Sequence, residues 1–292
     1  MKDLYQVACI SKQALHQGRI RELKTQKATL EIFEQADALR KEHPGVGCRK
    51  LAHLLGSAGW GRDKTEALLL GNGYRISFPR NYIRTTYAQH QYAVPNRIEG
   101  MELTNINQVV QTDITYYRVK DRFYYIVFLI DVYSRRIVGH SLSRTLQARA
   151  NVMALKRMVQ TRSDQSLCGL IHHSDRGSQF IDRKYCSLLR EYGIQTSMCR
   201  HAWENAYTER LNQTIKREYL DHWTVADYRT LSQKLNEAVR HYNTKRKHDS
   251  LNKKSPVEFE QEIGKLPMDQ RPIEKIYLHS ENDNPVKKKS QQ

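Results

Sequence analysis

The chain has 292 residues, with 48 lysines and arginines against 31 aspartates and glutamates, and a formal net charge of +17 at pH 7. This length is enough for at least one complete core, and two or three modules are expected. The excess positive charge favours a polyanionic partner, because each phosphate neutralised by Lys or Arg releases counterions. A basic surface without a specific partner is the alternative. No apolar run approaches the roughly 20 residues of a membrane span and no signal-peptide core follows Met1, so we expect a cytosolic protein.

The first predicted elements are helices. Apolar residues recur at helical spacing between Ala28 and Leu39, and Pro44 with Gly45 interrupts the pattern. Two short helices follow at about 49–55 and 63–70, separated by glycines.

These two short helices indicate a helix-turn-helix, a motif that contacts DNA through exposed polar and basic side chains. Its candidate DNA contacts are Arg49, Lys50, Arg62 and Lys64. Any small helical bundle with a solvated basic face has the same pattern, so both interpretations stay open.

Between residues 76 and 101 the periodicity is lost, and basic residues alternate with aromatic ones. This composition is typical of an extended linker that lies along a phosphate backbone, with Arg80 and Arg84 as candidate contacts. A passive tether is the alternative.

Strands begin after the linker. Three β-rich segments, at 109–117, 123–132 and 136–142, are joined by short turns, which is typical of an antiparallel meander. A helix at about 146–159 follows, and the short apolar run 167–171 indicates a buried strand that leads to Asp175.

The second half alternates between helix and strand. A helix at 182–192 precedes a short strand at 194–198, and a long helix begins near Trp203 or Glu204. With the meander, this order predicts a mixed sheet of five strands covered by helices on both faces. A further helix at about 226–242 and a short one that starts at Ser255 complete the pattern.

Composition divides the chain into five regions. We predict a helical DNA-binding region at 1–75, a basic linker at 76–101, an α/β core at 102–222, a helical extension at 223–265 and a flexible basic tail at 266–292. The cysteines are scattered and form no CxxC pair, so neither a disulfide framework nor a zinc site is expected. They are Cys9, Cys48, Cys168, Cys186 and Cys199.

Three carboxylates stand out because each lies on a different element. Asp113 interrupts the first strand, where a carboxylate is costly to bury unless it binds a cation or a partner. Asp175 closes a neighbouring strand, although a helix cap is the alternative for this residue. Glu209 lies in the long helix, which could cross the strand ends.

Together, the three carboxylates could hold two Mg²⁺ ions, hard cations that prefer oxygen ligands. In two-metal sites one ion activates the attacking oxygen and the other stabilises the leaving 3′ oxygen of a phosphodiester. With a basic chain that holds DNA, this arrangement predicts polynucleotidyl transfer.

The motifs around these residues resemble the integrase-like core of bacterial insertion-sequence transposases, in particular the second reading frame of the IS-three-type group. The segments that carry the resemblance are EHPGVGCRKLAHLLGSAGW at 42–60, QTDITY at 111–116, IDVYSRRIVGH at 130–140, HHSDRGSQF at 172–180, NAYTERLNQTIKREY at 205–219 and YNTKRKHDSLNKKSPVEF at 242–259. The resemblance implies a ribonuclease-H-like fold preceded by a helix-turn-helix module, and a DDE triad.

Carried over by position, the implied triad of catalytic and metal-binding residues is Asp113, Asp175 and Glu209. Only 33 residues lie between the last two, two fewer than is usual in the group, and the shortage falls just before Trp203. Glu204 is a rival for the third position, but its place suits a helix N-terminal residue better. Asp131 is interpreted as structural, paired with a neighbouring arginine such as Arg135 or Arg136.

Other residues are assigned supporting roles. Asn212 and Lys216 follow Glu209 at helical spacing and are candidate DNA contacts on the same face. Glu218 lies off that face and is expected in a salt bridge. The remaining candidate DNA contacts are His173, Gln179, Arg246, Lys247 and His248. The alternative for His173 and Gln179 is that they only brace the loop around Asp175, and the alternative for the other three is a solvated charged surface.

The resemblance implies Mg²⁺-dependent DNA cleavage and strand transfer, with two ions bound and Mn²⁺ as a substitute. The partners are then double-stranded DNA at the element ends and the target, further copies of the chain assembled on that DNA, and a first-reading-frame protein that supplies the group's leading helix-turn-helix and leucine zipper. The expected location is the bacterial cytoplasm, at the nucleoid. A metal-dependent nuclease without joining activity and a catalytically idle DNA-binding repressor are the alternatives.

Overall fold

The computed structural model describes residues 11–56, 60–76 and 94–276. The chain divides near residue 80 into two compact units. Within the described ranges, no helix combines the length and the apolar character needed to cross a membrane.

The described residues of the first unit form three helices, α1 (Lys12–Glu42), α2 (Cys48–Leu55) and α3 (Arg62–Gly71). The two short helices lie where the sequence predicts them. The core is formed by the buried side chains Ile32, Ala36, Val46, Leu51 and Leu69. Ile32 and Ala36 are four residues apart and therefore share one face of α1.

Between residues 94 and 276, the second unit contains seven strands, of which five form the main sheet. The strands are β1 (Glu102–Leu103), β2 (Val109–Val119), β3 (Arg122–Asp131), β4 (Ile137–Ser143), β5 (Ile171–Ser174), β6 (Gln195–Met198) and β7 (Glu274–Lys275). The main sheet has the order β4-β3-β2-β5-β6, and β1 pairs with β7 in a separate two-stranded ribbon. β2, β3 and β4 are antiparallel, whereas β5 and β6 run parallel to β2. The predicted mixed five-stranded sheet is confirmed.

The part of this unit that the structure describes also contains five helices. They are α4 (Ala148–Thr161), α5 (Arg183–Glu191), α6 (Ala206–Glu218), α7 (Tyr228–Thr244) and α8 (Pro256–Ile263). Apolar side chains of α4 and α5 form one core with the sheet, and those of α6 and α7 form a second core on the opposite face. The sheet is thus buried on both sides, as expected for strands that read as continuous apolar runs.

The strand before Asp175 differs from the prediction. The apolar run 167–171 was expected to form it, but the strand is Ile171–Ser174. Leu167 and Leu170 are buried without belonging to a strand, and Gly169 between them adopts a φ of +85°. A loop that buries two of its side chains and a short buried strand can have the same apolar composition, so the apolar run alone predicts the strand too early.

The tail also differs from the prediction of flexibility beyond residue 266. Residues 268–276 return to the second unit, where β7 pairs with β1 and the Tyr133 hydroxyl donates a 2.8 Å hydrogen bond to the carbonyl of Pro272. The guanidinium of Arg271 donates a 2.6 Å hydrogen bond to Asn105. The lysine run at 287–289 lies outside the described residues.

A buried ionic cluster ties α8 to the sheet. Glu260 accepts hydrogen bonds of 2.8 and 2.5 Å from Arg162, one of 2.5 Å from Arg136 and one of 2.7 Å from Ser134. Asp131, 1% exposed, lies 3.7 Å from Arg162 and accepts the backbone N–H of Ser134. We call these five residues the Glu260 cluster. Asp131 is structural, as predicted, but its ionic partner is Arg162.

Replacing Gly139 with alanine is expected to lower the free energy of unfolding of the second unit. A Cβ at this position of β4 would lie 2.3 Å from the carbonyl oxygen of Ala154 in α4, so helix and sheet would have to separate. Overpacking of this kind costs about 1–3 kcal/mol or more. Denaturant unfolding followed by circular dichroism measures the effect. Gly18→Ala is the control, since no atom lies within 4 Å of its added Cβ; equal stability of the two variants would contradict the prediction.

Candidate active site

The site begins at the ends of two parallel strands. Thr112 of β2 pairs with Ser174 of β5, and this is the last pair of the parallel ladder. Asp113 and Asp175 are the next residues on the two chains. Because adjacent strands lie about 4.8 Å apart, the pairing brings both carboxylates to one edge of the sheet.

Asp113 has the most perturbed environment of the three predicted carboxylates. Desolvation, followed by the negative charge of Asp175 and to a lesser degree that of Glu209, raises its pKa to about 7. The N–H of Ile114 donates a 2.8 Å hydrogen bond to its Oδ1 and partly offsets this effect. The charges of both partners therefore act on Asp113, although the three residues lie far apart in the sequence.

Asp175 lies in a tight turn after β5. Its Oδ1 accepts a 3.0 Å hydrogen bond from the N–H of Gly177, and desolvation raises its pKa. A Cβ on Gly177 would come within 3.0 Å of that same oxygen, so glycine leaves room for the carboxylate. Asp175 does not cap α5, because Asp182 takes that role by accepting the N–H groups of Lys184 and Tyr185.

The third carboxylate, Glu209, lies in the first turn of α6 and is exposed, and desolvation raises its pKa. Two polar side chains fix this helix start to β2. Asn205 donates a 3.0 Å hydrogen bond to the carbonyl of Thr112, and the buried Gln111 donates one of 2.9 Å to the carbonyl of Glu204. The short loop before α6 is therefore anchored beside Asp113.

Sequence reasoning gave neither Gln111 nor Asn205 a role. Gln111 is fully buried in β2 two residues before Asp113, and Asn205 is 4% exposed. The available signal was an uncharged polar residue within an otherwise apolar strand, since such a group is buried only where it is hydrogen-bonded.

The predicted helical face of α6 points at Asp113. Asn212 donates a 2.8 Å hydrogen bond from Nδ2 to Oδ2 of Asp113. The positive charge of Lys216 also acts on Asp113, and its Nζ lies 5.0 Å from the centroid of the Tyr116 ring. Asn212 and Lys216 thus adjoin the carboxylates; their contact with DNA stays a prediction.

Glu204 is separated from this group by its own contacts. One of its carboxylate oxygens accepts a 2.5 Å hydrogen bond from the N–H of Arg200, which closes the turn before α6. The negative charges of Asp175 and Glu209 are among the main causes that raise the pKa of Asp113, and the charge of Glu204 is not one of these main causes. The arrangement favours Glu209 over Glu204 as the third carboxylate.

Three of the candidate DNA contacts are buried, which corrects their assignment. His173 is fully buried between Ser197 and Cys199. Arg246 makes two 2.7 Å hydrogen bonds to Glu218, which confirms the predicted salt bridge of that glutamate, and His248 packs edge-on against Tyr242 at 4.9 Å.

His173 and Arg246 are buried against residues from distant segments of the chain. Local composition therefore could not predict that these candidate DNA contacts are buried. Lys247 is ion-paired with Glu258 at 2.5 Å but keeps 27% of its side chain exposed. Gln179 is half-buried beside Gly177. Lys247 and Gln179 remain candidate contacts.

The candidate contacts of the first unit lie mostly at its surface. Arg49, Arg62 and Lys64 are exposed, and Lys50 is half-buried. Lys64 lies 3.9 Å above the ring of Trp60. Arg49 pairs with Glu66 at 3.4 Å and Arg62 with Asp63 at 2.8 Å, contacts that exposed side chains exchange easily. Arg80 and Arg84 lie outside the described residues.

The oxygen-rich donor set fits a hard divalent cation. Asp113, Asp175 and Glu209 all have raised pKa values, a state that a bound cation relieves. The Oδ1 atom of Asn212 is buried without a hydrogen-bond partner, while its Nδ2 atom holds Asp113. Both observations indicate that a cation could bind here through these oxygens.

Comparison with known proteins gives a consistent result. Two models described as Integrase core domain match residues 104–202 and 192–256. The transposase of insertion sequence element IS904 from Lactococcus lactis subsp. lactis is 33% identical over 217 residues, covering 72% of this chain and 78% of the relative. A 31 kDa uncharacterized protein of insertion element IS600 from Shigella sonnei is 31% identical over 215 residues, covering 70% and 77%.

Two viral structures are among the solved structures that match this chain. The HTLV-2 integrase catalytic core domain in complex with magnesium, in its dimeric form, has a TM-score of 0.44 at 17% identity and covers 53% of this chain and 97% of that one. A chain of the simian T-cell lymphotropic virus intasome, in complex with the PP2A regulatory subunit B56 gamma, has a TM-score of 0.48 at 14% identity and covers 78% and 77%. Together with the strand order, the matched domain models confirm the predicted integrase-type, ribonuclease-H-like fold.

Proposed function

Because the chain belongs to the insertion-sequence transposases with an integrase core domain, enzymes of the polynucleotidyl-transferase type, we propose that Asp113, Asp175 and Glu209 are its catalytic carboxylates. Their proposed task is DNA cleavage and strand transfer with Mg²⁺ as the cofactor. The observation that carries this proposal is the electrostatic coupling of Asp113 to both other carboxylates at the ends of β2 and β5.

In this proposal, the three carboxylates hold two Mg²⁺ ions through their oxygens, and Mn²⁺ can replace them. The chemistry that bound Mg²⁺ supplies is activation of the attacking oxygen and stabilisation of the leaving 3′ oxygen. Asn212 orients the Asp113 carboxylate through the 2.8 Å hydrogen bond, and Lys216 adds positive charge beside it. Gly177 leaves space for the Asp175 carboxylate.

The reaction has two balanced steps. Water attacks a phosphodiester at the element end, the P–O3′ bond breaks, and a free 3′-OH with a 5′-phosphate on the other side results. That hydroxyl then attacks a phosphodiester of the target, where a new P–O bond replaces the broken one. No covalent bond to the protein is needed, because bond energy passes from one phosphodiester to the next.

The proposed partner is double-stranded DNA at the element ends and the target. The net charge of +17 supports binding to a polyanion, and the exposed Arg49, Arg62 and Lys64 of the first unit support the helix-turn-helix interpretation. Joining of two DNA ends to one target requires at least two active sites, so we expect several copies of the chain on DNA. A first-reading-frame protein as an additional partner and a location at the nucleoid complete the proposal.

A strand-transfer assay on end-sequence DNA tests the catalytic assignment. Asp175→Asn and Glu209→Gln are expected to reduce joining of a pre-nicked end by at least the roughly 10²–10³-fold that loss of one electrostatic catalytic group costs. Asp164→Asn, a change of an exposed loop carboxylate, is the control and should join normally.

Each alternative has its own result in this assay. Cleavage without joining by the wild type would favour a nuclease, and normal joining by Asp175→Asn would contradict the proposal. Loss of joining in Glu204→Gln with joining retained in Glu209→Gln would assign the third position to Glu204. Binding of end DNA without any Mg²⁺-dependent cleavage would favour a repressor.

A further inference from the structure

A second group of ligand-type side chains lies beside Asp175 and has no part in the proposed reaction. His173 is on β5, Cys199 directly follows β6, and Glu204 lies in the 3-10 turn Ala202–Asn205. One ligand atom of each lies within 4.8 Å of those of the other two, and His173 Nε2 is 3.0 Å from Cys199 Sγ. The pairing of β5 with β6 brings these segments together. Because the three residues come from different segments of the chain, no CxxC spacing indicates the cluster in the sequence.

The imidazole of His173 is already oriented for ligation. Its Nδ1 lies 2.9 Å from Ser197 Oγ, and that hydroxyl oxygen also accepts the backbone N–H of Arg97 at 2.9 Å. With Nδ1–H donating to Ser197, the Nε2 lone pair faces Cys199. Metal-binding histidines almost always have such a fixed partner on the second ring nitrogen.

The local charge also favours a cation. Burial, followed by the negative charges of Glu204, Asp175 and Asp113, raises the pKa of the Cys199 thiol. The positive groups nearby are engaged with other atoms. The Arg176 guanidinium donates a 2.9 Å hydrogen bond to the carbonyl of Cys199, and that of Arg200 lies 4.0 Å from Glu99.

We propose that His173, Cys199 and Glu204 form a second cation site, selective for a thiophilic divalent ion of the Zn²⁺ class. One nitrogen, one sulfur and one oxygen ligand with a fourth position left for water suit this ion, whereas Mg²⁺ prefers oxygen ligands alone. On binding, the thiol releases its proton to solvent, and the ion takes the place of that proton between Sγ and Nε2.

A cation bound at this second site would link two segments of the chain. Cys199 and Glu204 flank the short loop that leads into α6, while His173 precedes Asp175 by two residues. A bound ion would therefore join the loop before Glu209 to the strand before Asp175. This inference is independent of the catalytic assignment, since it concerns different side chains and a different class of ion.

Cobalt binding to the full chain tests the second site. The protein, freed of metals with a chelator and then kept in excess Mg²⁺, is titrated with Co²⁺ while the near-ultraviolet sulfur-to-cobalt band is recorded. We expect saturation at one ion per chain and loss of the band in Cys199→Ser. Cys168→Ser, which changes an exposed thiol, and Glu209→Gln should keep the band.

The Glu204→Gln variant tests the same cation site without altering the buried thiol of Cys199. It is expected to weaken Co²⁺ binding by at least the roughly 10–100-fold that loss of even an outer-sphere partner costs. Zn²⁺ should raise the Tm of the wild type more than that of Glu204→Gln. Absence of the band in the wild type, or its persistence in Cys199→Ser, would overturn the proposal. If Cys199→Ser fails to fold, unchanged Co²⁺ affinity in Glu204→Gln overturns it.

Discussion

Asp113→Asn is expected to abolish strand transfer and, in the same protein, to increase the free energy of unfolding of the metal-free chain at pH 8. The carboxylate is desolvated and lies beside Asp175 and Glu209, so its ionised form is unfavourable without a cation. An amide of the same shape carries no charge, and its oxygen can still accept the hydrogen bond that Asn212 donates to Asp113. Loss of function and gain of stability should therefore come from one substitution.

The direction of the pH dependence follows from the pKa of Asp113, which folding raises from 3.8 to about 7. A group with a raised folded-state pKa contributes full stability below its unfolded-state pKa, and the contribution is lost as the pH rises through the folded-state value. The wild type should thus lose stability relative to Asp113→Asn between about pH 4 and pH 7. At roughly 1.4 kcal/mol per pKa unit, the difference is a few kcal/mol at pH 8.

Denaturant unfolding in EDTA at pH 4 and pH 8 measures this difference. Asp121→Asn is the matched control, because the Asp121 side chain is 98% exposed and its replacement should change the free energy of unfolding little at either pH. A stability gap between wild type and Asp113→Asn that does not widen from pH 4 to pH 8 would show that burial of this carboxylate is not costly.

Glu260→Ala is expected to destabilise the second unit by about 3–5 kcal/mol, the loss typical when one partner of a buried ion pair is removed. Without Glu260, Arg162 keeps only the 3.7 Å contact with Asp131, and Arg136 loses its 2.5 Å hydrogen bond. The Arg162 guanidinium would stay buried with unmet donors, and the partly exposed Arg136 would lose its ionic partner. Urea unfolding followed by circular dichroism measures the effect.

The matched control lies two residues further along α8. Glu262 pairs with Lys254, but its side chain is 48% exposed, so Glu262→Ala should cost only about 0–1 kcal/mol. Equal losses in the two variants would mean that the Glu260 cluster contributes no more than a surface pair.

We also expect acid to weaken the contribution of the Glu260 cluster to the free energy of unfolding. Burial raises the pKa of Glu260, but the hydrogen bonds and charge of Arg162 and the charge of Arg136 outweigh this effect, so its pKa is lower than the usual 4.5. The contribution of a carboxyl with a lowered pKa is present above its unfolded-state pKa and is lost as the pH falls through the folded-state value. The wild type should therefore approach the stability of Glu260→Ala as the pH falls below 4.5 and through the lowered folded-state pKa.

The parts of the molecule that the sequence predicted well are those set by local patterns. The meander of β2, β3 and β4 follows from alternating β-rich segments and short turns, and α5 ends where Gly193 stops the helical pattern. Asp113 and Asp175 could be identified because one interrupts and the other closes an apolar strand, whereas Glu209 was identified only by its place on the long helix.

The parts that the sequence could not give depend on partners far away along the chain. Glu260 and Arg162 are 98 residues apart, and Arg246 and Glu218 are 28 apart, so local composition identified neither pair and Arg246 was assigned to DNA. His173 lies two residues before Asp175, yet it is fully buried against Ser197 and Cys199. Such side-chain directions depend on strand register, which only the assembled sheet determines.

The position of Glu260 in the chain has a consequence for synthesis. The three candidate catalytic residues are translated before residue 210, whereas the carboxylate that neutralises two arginines of their scaffold comes about 50 residues later. A nascent or truncated polypeptide that stops before α8 would hold every catalytic group on a scaffold with uncompensated internal charge. The second unit would therefore reach its full stability only after α8 has been translated.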